Sequence, residues 1–408
     1  MPFNRVTHAL QAHLDDLVVK GTAKGSESVI TAVLPAQGER GPRYLIAGEG
    51  ERPFIKLNAN SYLGLALHPA LIEAEEDAVR RYGVGPGAVR FISGTHAPHV
   101  ALEERLAAFH QREAGLIFSS AYAAVVSVLV PLISADTAVI SDELNHNCII
   151  NAVRLARPKA KFVYRHLDLA DLAAKLAEAA TTGSKRAIIV TDGIFSMRGV
   201  HAPLAEIVAL ARRFDAQFPE NAIVIVDDSH GVGAFGATGR GTEEYAGAEG
   251  VDILVATLGK AFGVNGGYAV GSRTLVQFLR ETAMMYLYSN PITPGEAAAA
   301  LAALRLLDSP AGLERLAHLR TMTGRFKGGL TQLGFETLPG EHPVVPLLVR
   351  DTARTAALVA HLRRHGVLAT GLNFPVVPRG DESIRFQVNA DHTPHDIDEV
   401  LAVLADFR

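Results

Sequence analysis

Seven short runs of β-branched and aliphatic residues, at 116–119, 138–141, 162–165, 187–191, 223–227, 253–257 and 267–270, alternate with longer stretches of helical periodicity. A run that is apolar at consecutive positions has no polar face to offer water, so as a strand it must be covered on both sides. Helices between the runs supply that cover. The pattern predicts an α/β fold in which βαβ units surround a mostly parallel seven-stranded sheet. With 408 residues, 48% of them hydrophobic and 20% charged, the chain can bury such a core. Its most apolar stretch, 121–133, is too short to span a bilayer and reads as a buried helix.

After Pro294 the pattern changes. An Ala- and Leu-rich helical segment, GEAAAALAALRLLDS, leads into a smaller α+β alternation: strand-like at 344–349, helix-like at 353–366, strand-like at 367–370 and 384–388, then a final helix. Thr393, Pro394 and Asp396 supply that helix with an N-cap hydroxyl, a proline at the first helical position and an acid in the first turn. The expected organisation is an N-terminal segment at 1–57, holding a helix, a Gly-rich connection and a short strand, then a large domain at 58–295 and a small C-terminal domain at 296–408.

Charge and cysteine usage narrow the partners. A net charge of −4 without a basic run disfavours nucleic acid and an electrostatic membrane anchor, which leaves small molecules as the expected ligands. Cys148 is the single cysteine, so no disulfide framework and no cysteine-based metal site are expected, in keeping with a cytoplasmic location. The N-terminal MPFNRVTHALQAHLDDLVVK carries charges throughout and lacks the apolar centre of a secretory signal.

The chemistry-bearing residues stand where strands end. IVIVDDSHG at 223–231 places Asp227, Asp228 and His230 just beyond a buried strand, where ligands of open α/β sheets sit. DILVATLGKAFG at 252–263 ends in Thr257 and Lys260. Most lysines in such turns are solvated, but here the neighbours are apolar or glycine, and desolvation lowers the amine pKa as Schiff-base chemistry requires. A lysine that binds an aldehyde cofactor, paired with an aspartate that keeps a pyridine nitrogen protonated, is what pyridoxal 5'-phosphate demands. FSSAYAAVVSVL at 118–129 runs from a strand directly into a helix, whose unpaired first amides would attract the phosphate; the alternative is an ordinary helix start capped by Ser119 or Ser120. His146 beyond one strand end could stack on a flat ring, and Ser196 beyond another could bond the ring oxygen. GVGAFG at 231–236 matches G-x-G-x-x-G, yet no amphipathic helix follows it, so the context of a dinucleotide site is missing.

Taken in order, NSYLGLALHP (60–69), VRFISGTH (89–96), FSSAYAA, SDELNH, TDGIFSM, VDDSHGVGAFGATGRG (226–241), TLGKAFG, YSNPITP (288–294) and FPVVPRGDESIRFQ (374–387) resemble the α-oxoamine synthases, fold-type I pyridoxal-phosphate enzymes, and among them the glycine C-acetyltransferases. The resemblance implies that Lys260 is the Schiff-base lysine and moves the α-proton, that Asp227 pairs with the pyridine nitrogen, that His146 stacks on the ring, and that Ser196 and His230 bond its phenolic oxygen. It also implies that Ala121, Tyr122 and Thr257 hold the phosphate, that Ser289 and Asn290 reach it from a second subunit of a homodimer, and that Asn60 and Arg385 hold the substrate carboxylate. His230 would in addition polarise a thioester carbonyl.

The implied reaction is transfer of an acyl group from acyl-CoA to the α-carbon of an amino acid, glycine and acetyl-CoA giving 2-amino-3-oxobutyrate. Alanine with a pimeloyl thioester and serine with a long acyl-CoA are the alternatives within the family. A silent partner subunit and a nicotinamide-dependent dehydrogenase are the alternatives outside it. The sequence departs from the acetyltransferase pattern at Val125, where relatives often carry Asn, at Arg198, where an acid is usual, and in its longer N-terminal segment.

Overall fold

The computed structural model describes residues 3–407 apart from Gly21, Lys24, Ser26, Pro375 and Val376, so two positions of the 374–387 motif lie outside the described residues. The seven apolar runs form one sheet: β1 Ala114–Phe118, β2 Thr137–Asp142, β3 Ala160–Tyr164, β4 Arg186–Asp192, β5 Ala222–Asp227, β6 Ile253–Thr257 and β7 Gly267–Gly271. Their spatial order is β1-β7-β6-β5-β4-β2-β3. β2 to β6 pair in parallel, and only β7 runs antiparallel to both its neighbours. β3 is an edge strand and shows it: Lys161 and Val163 are exposed, whereas no residue of the inner strands is.

Strand periodicity decides which side chains reach which face. Ile188, Val190, Ile225 and Val255 enter one core layer together with helices Ala121–Leu132 and Asn147–Ala156. Ala187, Ile189, Val224 and Val226 enter the opposite layer with helices Leu169–Ala180 and Leu204–Phe214. Each fully buried Ile, Val or Leu contributes about 1.5–3 kcal/mol, so a one-residue slip would reverse the faces at large cost. Asp192, Asp227 and Thr257 continue the first set. The departure at Val125 belongs to the same layer, where it is 2% exposed and serves packing.

The C-terminal alternation forms a second, antiparallel sheet of β8 Glu336–Thr337, β9 Val344–Leu348, β10 Thr370–Leu372 and β11 Ser383–Gln387, in the order β8-β9-β11-β10. The expected single strand at 367–370 divides. Val367 and Leu368 pair in parallel with Ile55 and Lys56, and Thr370 opens β10. The reason is tertiary: Leu368 packs with Ile46 and Phe54 in a small cluster of its own.

The segment before residue 57 holds helix Asn4–Val19, a hairpin of Ile30–Leu34 and Arg43–Ile46, and the short strand Ile55–Lys56. It is tied to the C-terminal helix Pro394–Ala405 through Asp396. That carboxylate accepts from the N–H groups of Thr393 and Gly41, both at 3.0 Å, and pairs with Arg43 Nη2 at 2.7 Å. Among the described residues no helix is long and apolar enough to cross a membrane.

Asp396→Ala removes one half of the capping box, leaves the Gly41 amide without its carboxylate, and leaves Arg43 Nη2 only Glu399 at 3.2 Å as an acid partner among the described residues. The expected loss is about 3–5 kcal/mol in urea unfolding, the range for breaking a buried ion pair from one side.

Candidate active site

Four turns that follow β1, β2, β4 and β5, together with the turn after β6, converge on one cleft lined by Ala121, Tyr122, His146, Cys148, Asp192, Ile194, Ser196, Asp227, Ser229, His230 and Lys260. Asp227 and Asp192 are register partners on adjacent parallel strands, so their carboxylates leave the same face of the sheet side by side. Asp227 accepts from Ser229 N–H at 3.1 Å and meets the Cys148 thiol at 3.6 Å, with no cation in hydrogen-bond contact among the described residues. Asp192 accepts from His146 N–H at 3.1 Å through Oδ2, while its Oδ1 is buried without a partner. Burial, then the neighbouring Asp227 charge, pushes Asp192 well above the usual carboxylate range.

Asp228 takes no part. One residue further along, it points to the opposite side, where both its oxygens accept from Thr242, the backbone N–H and the hydroxyl each at 2.6 Å. A Cβ on Gly193, Gly231 or Gly241 would run into this carboxylate. Of the glycines in the G-x-G-x-x-G match, Gly231 packs against this buried acid, whereas a Cβ on Gly233 would meet Ala261 and one on Gly236 would meet Glu244; residues 231–236 form turns rather than a helix start.

Lys260 is held by the turn from Thr257 to Gly266, in which Thr257 Oγ1 donates to Gly266 O at 3.2 Å and accepts from Gly259 N–H at 3.0 Å. Burial lowers the Lys260 amine to about 8, against the opposing pull of Asp227 and Asp192. At the start of helix Ala121–Leu132, Ser120 Oγ accepts from Ala123 N–H at 3.1 Å. The Ala121 and Tyr122 amides find no acceptor among the described residues and open on the cleft, so the cap and the anion site coexist. His146 is the N-cap of helix Asn147–Ala156 and sits across the cleft mouth from Tyr122. Burial, with help from Lys260, Arg385 and two other histidines, holds His230 neutral, well below the usual imidazole range.

Arg385, on β11, reaches the same place from the second sheet. Its Nη1 donates to Ser196 O at 3.2 Å and its Nη2 to Asn60 Oδ1 at 3.1 Å. Gln387, with its amide turned to satisfy both ends, accepts from Arg385 Nε at 2.6 Å and donates to Leu57 O at 2.9 Å. No carboxylate pairs with Arg385 among the described residues, although burial lowers its pKa. Ser196 also lines an adjoining, larger cleft of about 370 Å³ with Leu144, Met197, Leu348, Leu372 and Val377. Arg198 stands on its wall and pairs with Asp381 at 3.4 Å.

The structure thus brings together Lys260, Asp227, His230, His146, Ser196, Ala121 and Tyr122, with Asn60 and Arg385 joined to them through Ser196. Thr257 is tied into its own turn and does not line the cleft. Ser289 and Asn290 do not line it either, and among the described residues their one side-chain bond runs from Ser289 Oγ to Asn290 O at 3.4 Å. Asp192 and Cys148 were not anticipated. Asp192 could have been found as a second acid closing a buried strand, within the very TDGIFSM segment that was singled out for Ser196.

These groups fit pyridoxal 5'-phosphate. A buried carboxylate without a cation matches a protonated ring nitrogen, unpaired helix-start amides match a phosphate, and a desolvated amine matches an aldehyde. Residues 52–404 match the family model described as aminotransferase class I and II. A curated 8-amino-7-oxononanoate synthase from Thermosipho melanesiensis is 39% identical over 377 residues, 92% of this chain and 93% of the relative. The mitochondrial 2-amino-3-ketobutyrate coenzyme A ligase of Bos taurus is also 39% identical, over 95% of this chain and 89% of its own. This chain belongs to the aminotransferase class I and II family, as an α-oxoamine synthase. The serine palmitoyltransferase of Sphingomonas wittichii superposes on it with a TM-score of 0.87 at 27% identity, covering 99% of this chain and 96% of that one. As an α-oxoamine synthase it has the fold-type I architecture and is a pyridoxal-phosphate-dependent acyltransferase.

Uptake of the cofactor needs the neutral amine of Lys260. The rate at which apoprotein takes up pyridoxal phosphate should rise with pH and level off above about 8. Stopped-flow absorbance across the pH range checks this; a midpoint near the ordinary lysine value would contradict the desolvation.

Proposed function

We propose that the chain transfers the acyl group of acyl-CoA to the α-carbon of a small amino acid, with glycine and acetyl-CoA as the leading pair and 2-amino-3-oxobutyrate and CoA as products. The observation that carries this reading is Arg385, a part-buried guanidinium with no acid partner, held by Asn60, Ser196 and Gln387 beside the cleft of Lys260. A planar fork kept free in this way suits the carboxylate of an amino acid.

The cofactor, when bound, supplies an electron sink that acidifies the α-C–H bond. Asp227 would keep its ring nitrogen protonated. Lys260, with its lowered pKa, would take the proton from the α-carbon near neutral pH. The carbon–carbon bond then forms between that carbon and the thioester carbonyl, the C–S bond breaks, and the CoA sulfur leaves to be protonated. His230 would hydrogen-bond the oxygen on which charge develops. Ala121, Tyr122 and Thr257 are assigned to the phosphate and His146 to the ring face. Thr257 would act through the backbone of its turn or by turning its hydroxyl.

Ser289 and Asn290 are assigned to the second subunit's site in a homodimer. Their absence from the lining of their own chain's cleft supports this, as do Tyr122 and Tyr288, which are 42% and 78% exposed. The 370 Å³ cleft beside Ser196, with its Leu, Met and Val walls, favours a second reading in which the acyl group is longer, as in the products named for the 8-amino-7-oxononanoate synthases.

A thiol-release assay over a grid of amino acids and acyl-CoAs decides between them. Glycine with acetyl-CoA is expected to give the highest kcat/KM, and absence of CoA release from every pair would overturn the reading. Lys260→Ala should abolish turnover. Arg385→Ala should raise the amino-acid KM about 10- to 100-fold, the loss of one charged hydrogen-bond partner, with the acyl-CoA KM unchanged.

A further inference from the structure

Tyr62 is fully buried behind the cleft, and its hydroxyl lies 2.6 Å from His230 Nδ1. Among the described residues the same hydroxyl has one other partner, Asn60 Oδ1, at 3.4 Å. That Asn60 oxygen already accepts from the charged Arg385 Nη2 at 3.1 Å. His342 Nδ1 accepts from Val344 N–H at 3.1 Å, so its proton is on Nε2, which donates to the backbone carbonyl of His230 at 2.9 Å. His342 therefore holds the His230 main chain and offers nothing to its ring. His230 Nε2 makes no hydrogen bond among the described residues, and His230 lines the cleft.

A neutral imidazole carries its proton on one nitrogen only, and the hydrogen bond made by the other decides which. If Nδ1 carried it, Tyr62 would accept at 2.6 Å and its own proton would be left with a 3.4 Å contact to an oxygen already engaged. If Nε2 carries it, the phenol donates along the short bond and the Nε2–H is left facing the cleft, where a ligand oxygen would complete it. We propose that Tyr62 is a positioning residue that fixes His230 as the Nε2–H tautomer, so that His230 presents a hydrogen-bond donor, not a base, to an oxygen in the cleft. Burial keeps the phenol protonated and the imidazole neutral, which leaves this single proton as the variable. The ligand chemistry is an anionic or carbonyl oxygen. The cofactor's phenolic oxygen and the thioester carbonyl both present it.

The catalytic consequence rests on the acyl-transfer reading, but the tautomer does not. Long-range ¹H–¹⁵N correlation on histidine-labelled apoprotein reads it without cofactor or substrate, with His230 assigned by loss of its signals in His230→Gln. The expected result is Nε2–H in the parent and in His342→Gln, and loss of that single pattern in Tyr62→Phe, which keeps the ring and its packing. Nδ1–H in the parent, an unchanged pattern in Tyr62→Phe, or a changed one in His342→Gln would each overturn the proposal. In turnover, Tyr62→Phe should lower kcat about 10- to 100-fold, as loss of an outer-shell orienting partner does, with the amino-acid KM unchanged. A raised amino-acid KM with kcat preserved would instead show Tyr62 acting through Asn60, and would also overturn it.

Discussion

The in-register pairing of β4, β5 and β6 is the constraint on which the site depends. Asp192 and Asp227 are neighbours because Ile188 to Asp192 pair position by position with Ile223 to Asp227, and β6 continues the ladder from Ile225 to Asp227 against Ile253 to Val255. The apolar side chains that lock this register are all but fully buried, so the carboxylates are carried to one edge of the sheet by packing energy that has nothing to do with catalysis. The strand period then separates roles that look alike in one dimension. Asp227 faces the cleft, and Asp228 faces a turn built around it.

Electrostatics within the cleft follow from that crowding. Lys260, His230 and Arg385 are partly or fully withdrawn from water within reach of one another, and each is pushed toward its neutral form by burial. Two carboxylates side by side oppose this, and burial, followed by the repulsion between them, raises Asp192. Among the described residues such an arrangement leaves Asp192 Oδ1 and the Ala121 and Tyr122 amides without partners, and the Arg385 charge without a carboxylate. Unsatisfied buried groups cost about 1–3 kcal/mol each, and in a folded protein they persist where a ligand completes them.

Much of the fold was legible because its signals are local. All seven sheet strands lie within two residues of their expected positions, since consecutive apolar β-branched residues admit few other readings. The last helix was announced by Thr393, Pro394 and Asp396. The strand at 367–370 was misread as continuous because the break between Leu368 and Thr370 is imposed by Ile55, more than 300 residues earlier. Asp396 was read as an acid in the first turn of that helix, and it is also the anchor for Arg43.

The site shows the same division. Lys260, Asp227, His230, His146, Ser196 and the start of the helix at Ala121 could be nominated from sequence alone, because each follows a strand, and strand ends are where an open parallel sheet gathers its ligands. Their chemistry followed from residue type. What only the tertiary structure decided is which of their atoms are free. That Asp228 is spoken for by Thr242, that Thr257 is tied to its turn, that Arg385 lacks an acid and that Tyr62 meets His230 all depend on contacts between segments far apart in the chain. A sequence records the donors and acceptors a chain possesses, and folding determines which of them remain unpaired.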